Sequence, residues 1–191
     1  PKTPKPLALD FVKVKLMRIV SLFYGHDYQR LLTEELIVIK SHMGTVWTIA
    51  IALNVLVAIT TLSLWPLNEC FHYFTDITMW LTLALTVLMQ RASQDEKRKF
   101  NHGWLAFLHG LFQLCFILNA VTVVTYWSVL HEITLLKHQG NPGRTVHTYL
   151  THSFPALSLL LVWWINEIRL YSGHVIYLWL IAVTYGFWTY I

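Results

Sequence analysis

The chain has 191 residues and 22.3 kDa, with 55% hydrophobic residues, only 13% charged and a mean hydropathy of +0.50. A soluble domain carries about 25% charged residues, so this composition excludes a disordered chain, a coiled coil and a disulfide scaffold. It also speaks against a soluble enzyme, because little polar surface remains to wrap nine Trp, nine Tyr and ten Phe. The formal charge of +4 sits in tails and loops, where it reports membrane orientation rather than nucleic-acid binding.

These numbers predict an all-α, polytopic transmembrane helix bundle of about five spans with an N-terminal amphipathic helical segment. Residues 1–43 read as a basic interfacial or docking segment. Leu9, Val12, Leu16, Ile19, Val20 and Phe23 recur at helical spacing, with Lys13, Lys15 and Arg18 off that stripe. A helix of this kind lies in the membrane interface or packs on a partner. A second amphipathic stretch, Asp27–Lys40, follows the Gly25-His26-Asp27 break and leads into the bundle of residues 44–191.

A spanning helix needs about 20 apolar residues, and charge-free runs supply them. The first span is 44–65, lying between Lys40 and Glu69 and stopped by Pro66. The second, 71–90, begins near Cys70 ahead of Asp76 and ends at Arg91. The third, 103–130, lies between Lys99 and Glu132. The fourth, 149–168, follows the Asn141-Pro142-Gly143 turn, and the fifth, 175–191, is free of charge. Trp47, Trp65, Trp127, Trp163, Trp164 and Trp179 fall mostly near span ends, as an aromatic belt places them. Cys70 and Cys115 are the only cysteines and have no zinc-like spacing.

Five spans put the N-terminal segment, the 91–102 loop and the 167–174 loop on one side, with seven, four and one of the fourteen Lys and Arg. Only Lys137 and Arg144 fall opposite. The N terminus therefore faces the cytoplasm or a mitochondrial matrix, and the C terminus the other side. An initial Pro1 in place of Met fits equally a chain processed on import, a trimmed chain or a fragment; the first of these would favour the mitochondrial inner membrane over the endoplasmic reticulum.

Ionisable and hydroxyl groups at membrane depth are the candidates for chemistry. Thr75 and Asp76 open the second span, where either is a helix N-cap; a Thr hydroxyl is also a nucleophile when a His takes its proton. His147 and His152 precede Pro155, which suits the first turn of a helix or a kink. Five residues turn a helix by about 500°, so the two imidazoles point to different faces. His102 and His109 share one face of the third span. A haem clamped between His109 and His152 has no further support, so the expected cofactor set is empty apart from bound lipids. Asn54, Glu167 and Arg169 are the remaining polar outliers, the last two close enough to pair at a span end.

The order of motifs resembles the androgen-induced and androgen-dependent multi-pass membrane protein family. It is carried by Tyr73-Phe74-Thr75-Asp76, Val123-Val124-Thr125-Tyr126-Trp127, Pro142-Gly143, His152-Ser153-Phe154-Pro155 with Trp163-Trp164, and Leu178-Trp179-Leu180 with Tyr185-Gly186-Phe187-Trp188. The resemblance covers residues from Gly44 onward and implies a membrane hydrolase of fatty-acid esters with a Thr nucleophile and a His base. Thr75 matches the Thr position. The family's His lies five residues before its Pro, where this chain has Leu150; His147 and His152 flank that position. The family also has a sixth span beyond the five read here.

Two functional readings follow. The first is a non-catalytic accessory or structural subunit of a larger membrane complex, a mitochondrial inner-membrane one by preference, contacting the bilayer and other membrane subunits through residues 1–43 and the span faces. The second is the lipid hydrolase, with catalytic Thr75 and His152 or His147. No central charged residue of the kind used by transport pathways appears in any span.

Overall fold

The computed structural model describes residues 37–39, 44–66, 70, 73–94 and 102–170. The fifth predicted span and residues 1–36, with their amphipathic pattern, lie outside these. The described chain runs β1 (Ile37–Val38), α1 (Gly44–Leu64), α2 (Phe74–Gln94), α3 (His102–Thr125), a π-helical turn (Tyr126–Leu130), α4 (His131–Lys137), α5 (Pro142–Ile165) and β2 (Glu167–Ile168).

Local chemistry explains the helix ends. The backbone N–H of Trp65 closes the last turn of α1 on the Thr61 carbonyl at 3.0 Å, and Pro66 follows; the residue before a proline is biased out of the helical region. At the start of α2 the Tyr73 carbonyl accepts from the N–H groups of Asp76 and Ile77, at 3.0 and 3.1 Å. Thr75 and Asp76 therefore sit inside the first turn rather than at the cap, and Asp76 complements the positive end of the helix dipole from there. The helix begins at Phe74, a few residues later than the apolar run near Cys70 predicts.

Helix α5 starts well ahead of the predicted 149. Asn141 caps it by accepting from the Arg144 N–H at 3.1 Å, and Pro142 occupies the first helical position, where a missing N–H costs nothing. Pro155 consequently lies in mid-helix and buried, not in a first turn. The third apolar run continues past the predicted 130 as one 35-residue rod, Gly103–Lys137. Within it the His131 N–H reaches the Tyr126 carbonyl five residues back.

One expectation for the N-terminal side changes. Ile37 and Val38, assigned to the second amphipathic stretch, form a short strand paired antiparallel to β2, with Ile37 opposite Ile168 and Val38 opposite Glu167. Both residues are β-branched and suit an extended backbone. The pairing brings the start of α1 to the end of α5, so these two helices run antiparallel. Helix α1 packs on α5 and α2, α3 packs on α2 and α5, and α2 reaches α5 across the bundle. One end carries the strands; the other carries Trp65, Pro66, Tyr73 and the 138–141 turn.

The main core gathers Trp47, Leu85, Met89, Leu108, Phe112, Leu159 and Val162. Trp47, at 1% exposure, belongs to it and not to an aromatic belt. Trp164, 83% exposed, and Trp127, 45% exposed, do lie on the outside. A smaller cluster of Val57, Ala58 and Met79 fills the turn end.

Between these apolar layers runs a polar seam. Asn54 Nδ2 donates to Ser158 Oγ on α5 at 2.7 Å, to the Ala50 carbonyl at 2.9 Å and, at 3.5 Å, toward Thr86 Oγ1 on α2. Thr86 donates to the Thr82 carbonyl, and Thr82 Oγ1 accepts from Asn119 Nδ2 on α3 at 2.8 Å. Thr78, Thr82 and Thr86 recur every four residues and are buried on one face of α2. The result is a chain of polar contacts through α3, α2, α1 and α5.

Interhelical hydrogen bonds of this kind are worth about 0.6 kcal/mol and at most ~1.7 kcal/mol within a membrane. A double-mutant cycle on Asn54→Ala and Ser158→Ala, read by unfolding in mixed micelles, is expected to give a coupling in that range. Strict additivity would dissolve the seam as a stabilising feature.

Candidate functional site

Of the four candidates for catalysis or haem ligation, Thr75, His147, His152 and His109, all but one lie at the turn end. His147, on the second turn of α5, is buried, and its Nδ1 lies 3.1 Å from Thr60 Oγ1 on α1. Thr60 itself donates to the Val57 carbonyl at 2.8 Å. That consumes the hydroxyl proton, so His147 Nδ1–H is the donor to Thr60 and the ring is the Nδ1-protonated tautomer. Thr151, one turn on, donates to the His147 carbonyl at 2.8 Å and packs its oxygen 3.3 Å from Nε2.

His152 faces another way, as the helical angle requires. Its Nδ1–H donates to the Thr148 carbonyl at 2.7 Å, and its ring stacks on Tyr126 of the π-helical turn, centroids 3.8 Å apart. Tyr126 Oη lies 3.4 Å from His131 Nδ1, and Trp127 stacks on Tyr149 at 5.6 Å. The π-helical turn is what places Tyr126 and Trp127 against α5. Such turns occur often at functional sites, and no residue pattern announces this one.

Thr75 is half-buried in the first turn of α2, and no hydrogen bond joins its hydroxyl to His147 or His152. The hydroxyl that meets His147 is Thr60, a residue the sequence does not single out, 87 positions away. Asp76 is buried close to Thr75.

His109 is the exception. It lies at the strand end, fully buried, with Nε2 2.6 Å from the Arg169 carbonyl, which also accepts from Gln113 Nε2 at 3.0 Å. Tyr126, against which His152 stacks, is seventeen residues farther along the rod, about 25 Å at 1.5 Å per residue. His109 and His152 therefore occupy opposite ends of the bundle, and no single haem bridges them. Arg169 offers its backbone carbonyl to α3; the side chain of Glu167, its suggested ion-pair partner, lies outside the described residues. Among the described residues no group of three or more His, Cys, Asp or Glu is arranged to hold a metal ion.

Between α1 and α5 at the turn end lies a cleft of about 460 Å³. Thr60, Ser63 and Leu64 form one wall, and Gly143, Val146 and His147 the other. Arg144 sits over the ring of Trp65, 4.8 Å from its centroid. In the neighbouring turn, burial and the positive charges of Arg144 and Lys137 hold the His138 imidazole below its usual pKa.

No protein-family model, curated protein or solved structure matches the chain. The polar groups of the site are mostly engaged in helix-to-helix or side-chain-to-carbonyl hydrogen bonds, an arrangement that fixes helix positions.

Two substitutions separate the roles of the threonines. Thr60→Val leaves the buried His147 N–H without an acceptor and is expected to cost about 1–3 kcal/mol. Thr75→Ala, which breaks no hydrogen bond, is expected to stay within about 0.5 kcal/mol. Thermal unfolding of the two purified variants in one detergent checks the order; a larger loss for Thr75→Ala would reverse this assignment.

Proposed function

We propose that the chain is a non-catalytic multi-pass membrane protein of about five spans, serving as an accessory or structural subunit of a larger membrane complex. The observation that carries the membrane part is inverted polarity. Ile49, Val55, Leu56, Ile59 and Leu62 point outward from α1, while Asn54 and Thr61 point inward. In water this arrangement exposes apolar surface and buries amides; in hydrocarbon both choices are favourable. Two helices, Gly44–Leu64 and Gly103–Lys137, are long and apolar enough to cross a membrane. The distribution of Lys and Arg supports a cytoplasmic or matrix orientation of the strand end.

The subunit reading rests on what the polar groups do. Asn54, Asn119, His109 and His147 each hold one helix to another segment, and Thr60 already has an acceptor for its proton. The outer faces of α1 and α5 present apolar side chains suited to lipid or to further membrane helices.

One observation favours the hydrolase reading instead. The Thr148 carbonyl holds His152 in the Nδ1-protonated tautomer, which turns the Nε2 lone pair into a potential base. Thr75 would then be the nucleophile, after a rearrangement that brings the two together. Under the subunit reading, extraction of the chain from its own membrane in mild detergent yields a discrete assembly far above 22.3 kDa with fixed partners. A lone chain, acylated by a threonine-directed probe in a manner abolished by Thr75→Ala, establishes the hydrolase and removes the subunit.

A further inference from the structure

We propose that the cleft between α1 and α5 is a binding site for an anionic phospholipid, with one acyl chain in the cleft and the phosphate held at its mouth by Arg144 and Lys137. The cleft has the volume of a ligand site, which typically falls at about 300–1,000 Å³. Leu64 and Val146 make its walls apolar, and Ile59 and Leu62, next in sequence to the lining residues Thr60 and Ser63, face outward on α1. An acyl chain in the surrounding bilayer therefore enters from the side without crossing water. This rests on the membrane reading above, though not on the choice between subunit and hydrolase.

Charge decides which lipid. Arg144 and Lys137 are the only Lys or Arg in the chain between Lys99 and Arg169. Neither has a carboxylate partner among the described residues. They sit close enough for both charges to act on His138. Arg144 is held in place by the Trp65 ring and follows Gly143, which lines the cleft. The Gly143 N–H is a first-turn donor of α5 that bonds to no described residue, whereas the Arg144 and Thr145 N–H groups are capped by Asn141. Two cations with no carboxylate partner among the described residues, beside an apolar groove at the end of a spanning helix, match a headgroup of net negative charge attached to a hydrocarbon chain, not a net-neutral one. They also sit where Trp65 and Tyr73, packed 6.4 Å apart, mark the interface.

Gly143 gives a clean way to close the cleft. A Cβ there meets only Asn141 Oδ1, at an ordinary 3.6 Å, so Gly143→Leu fits the backbone and projects bulk into the groove. The test uses the full chain in non-ionic micelles, exposed to phosphatidylglycerol or phosphatidylcholine of equal chain length, with retained adducts counted by native mass spectrometry. At about fivefold per interfacial cation, wild type prefers phosphatidylglycerol by about 25-fold. Lys137→Gln with Arg144→Gln brings that preference to near unity. Gly143→Leu lowers retention of phosphatidylglycerol while leaving the thermal midpoint unchanged. Equal retention of the two lipids by wild type, or a preference that survives both variants, overturns the site. Membrane extraction at alkaline pH separates the failures: a chain released into the supernatant fails the membrane reading and takes the site with it, whereas a retained chain without headgroup preference fails the lipid site alone.

Discussion

Hydrogen bonds through the bundle, from Asn119 to Thr82, along α2 to Thr86, and from Asn54 to Ser158, are the constraint on which the arrangement of the helices depends. Apolar contacts between helices surrounded by lipid tails carry little directional information, since the tails are as apolar as leucine. A polar side chain inside such a bundle has few places to go, so each one it finds sets the register of two helices. Asn54 does this for α1 against α5 and Asn119 for α3 against α2. The Thr78-Thr82-Thr86 face supplies acceptors without placing a charge at depth. Asn54 Oδ1 and Thr122 Oγ1 remain unpaired among the described residues, the part of the interior where polar satisfaction is incomplete.

The two ends of the bundle are built differently. At the strand end, β1 and β2 tie the entry to α1 to the exit from α5, and His109 with Gln113 fastens the Arg169 carbonyl to α3. At the turn end, the bonds are between side chains: His147 to Thr60, Tyr126 against His152, Arg144 over Trp65. The titratable and aromatic groups concentrate there, beside the cleft. The strand end acts as a clasp.

Much of the helical layout is legible in the sequence, because charge and proline punctuate it. The run between Lys40 and Pro66 predicts α1 to within a residue of its observed end. Helix starts are harder. The apolar run after Arg144 suggests 149, yet Asn141 and Pro142 are the physical start of α5; the Asn-Pro-Gly triplet marks a turn and a cap at once, and hydropathy sees only the turn. At α2 a backbone carbonyl from Tyr73 does the capping that the Thr and Asp side chains suggest for themselves. The site is far less legible. His147 and Thr60 meet across two antiparallel helices, and nothing local to either residue encodes that contact. The π-helical turn likewise depends on tertiary packing. Asn54 stands out in an apolar run, but its partners Thr86 and Ser158 look ordinary until the helices are assembled.

The membrane topology is the claim on which the function, the lipid site and the meaning of the seam all rest. Its most direct test is labelling of single cysteines, in a chain with Cys70→Ala and Cys115→Ala, by an impermeant maleimide on sealed vesicles. Gln94→Cys reports the strand end and Gln139→Cys the turn end, both at exposed positions. The account predicts that each reacts from one face only, and that the faces are opposite. Reaction of both from the same face contradicts it.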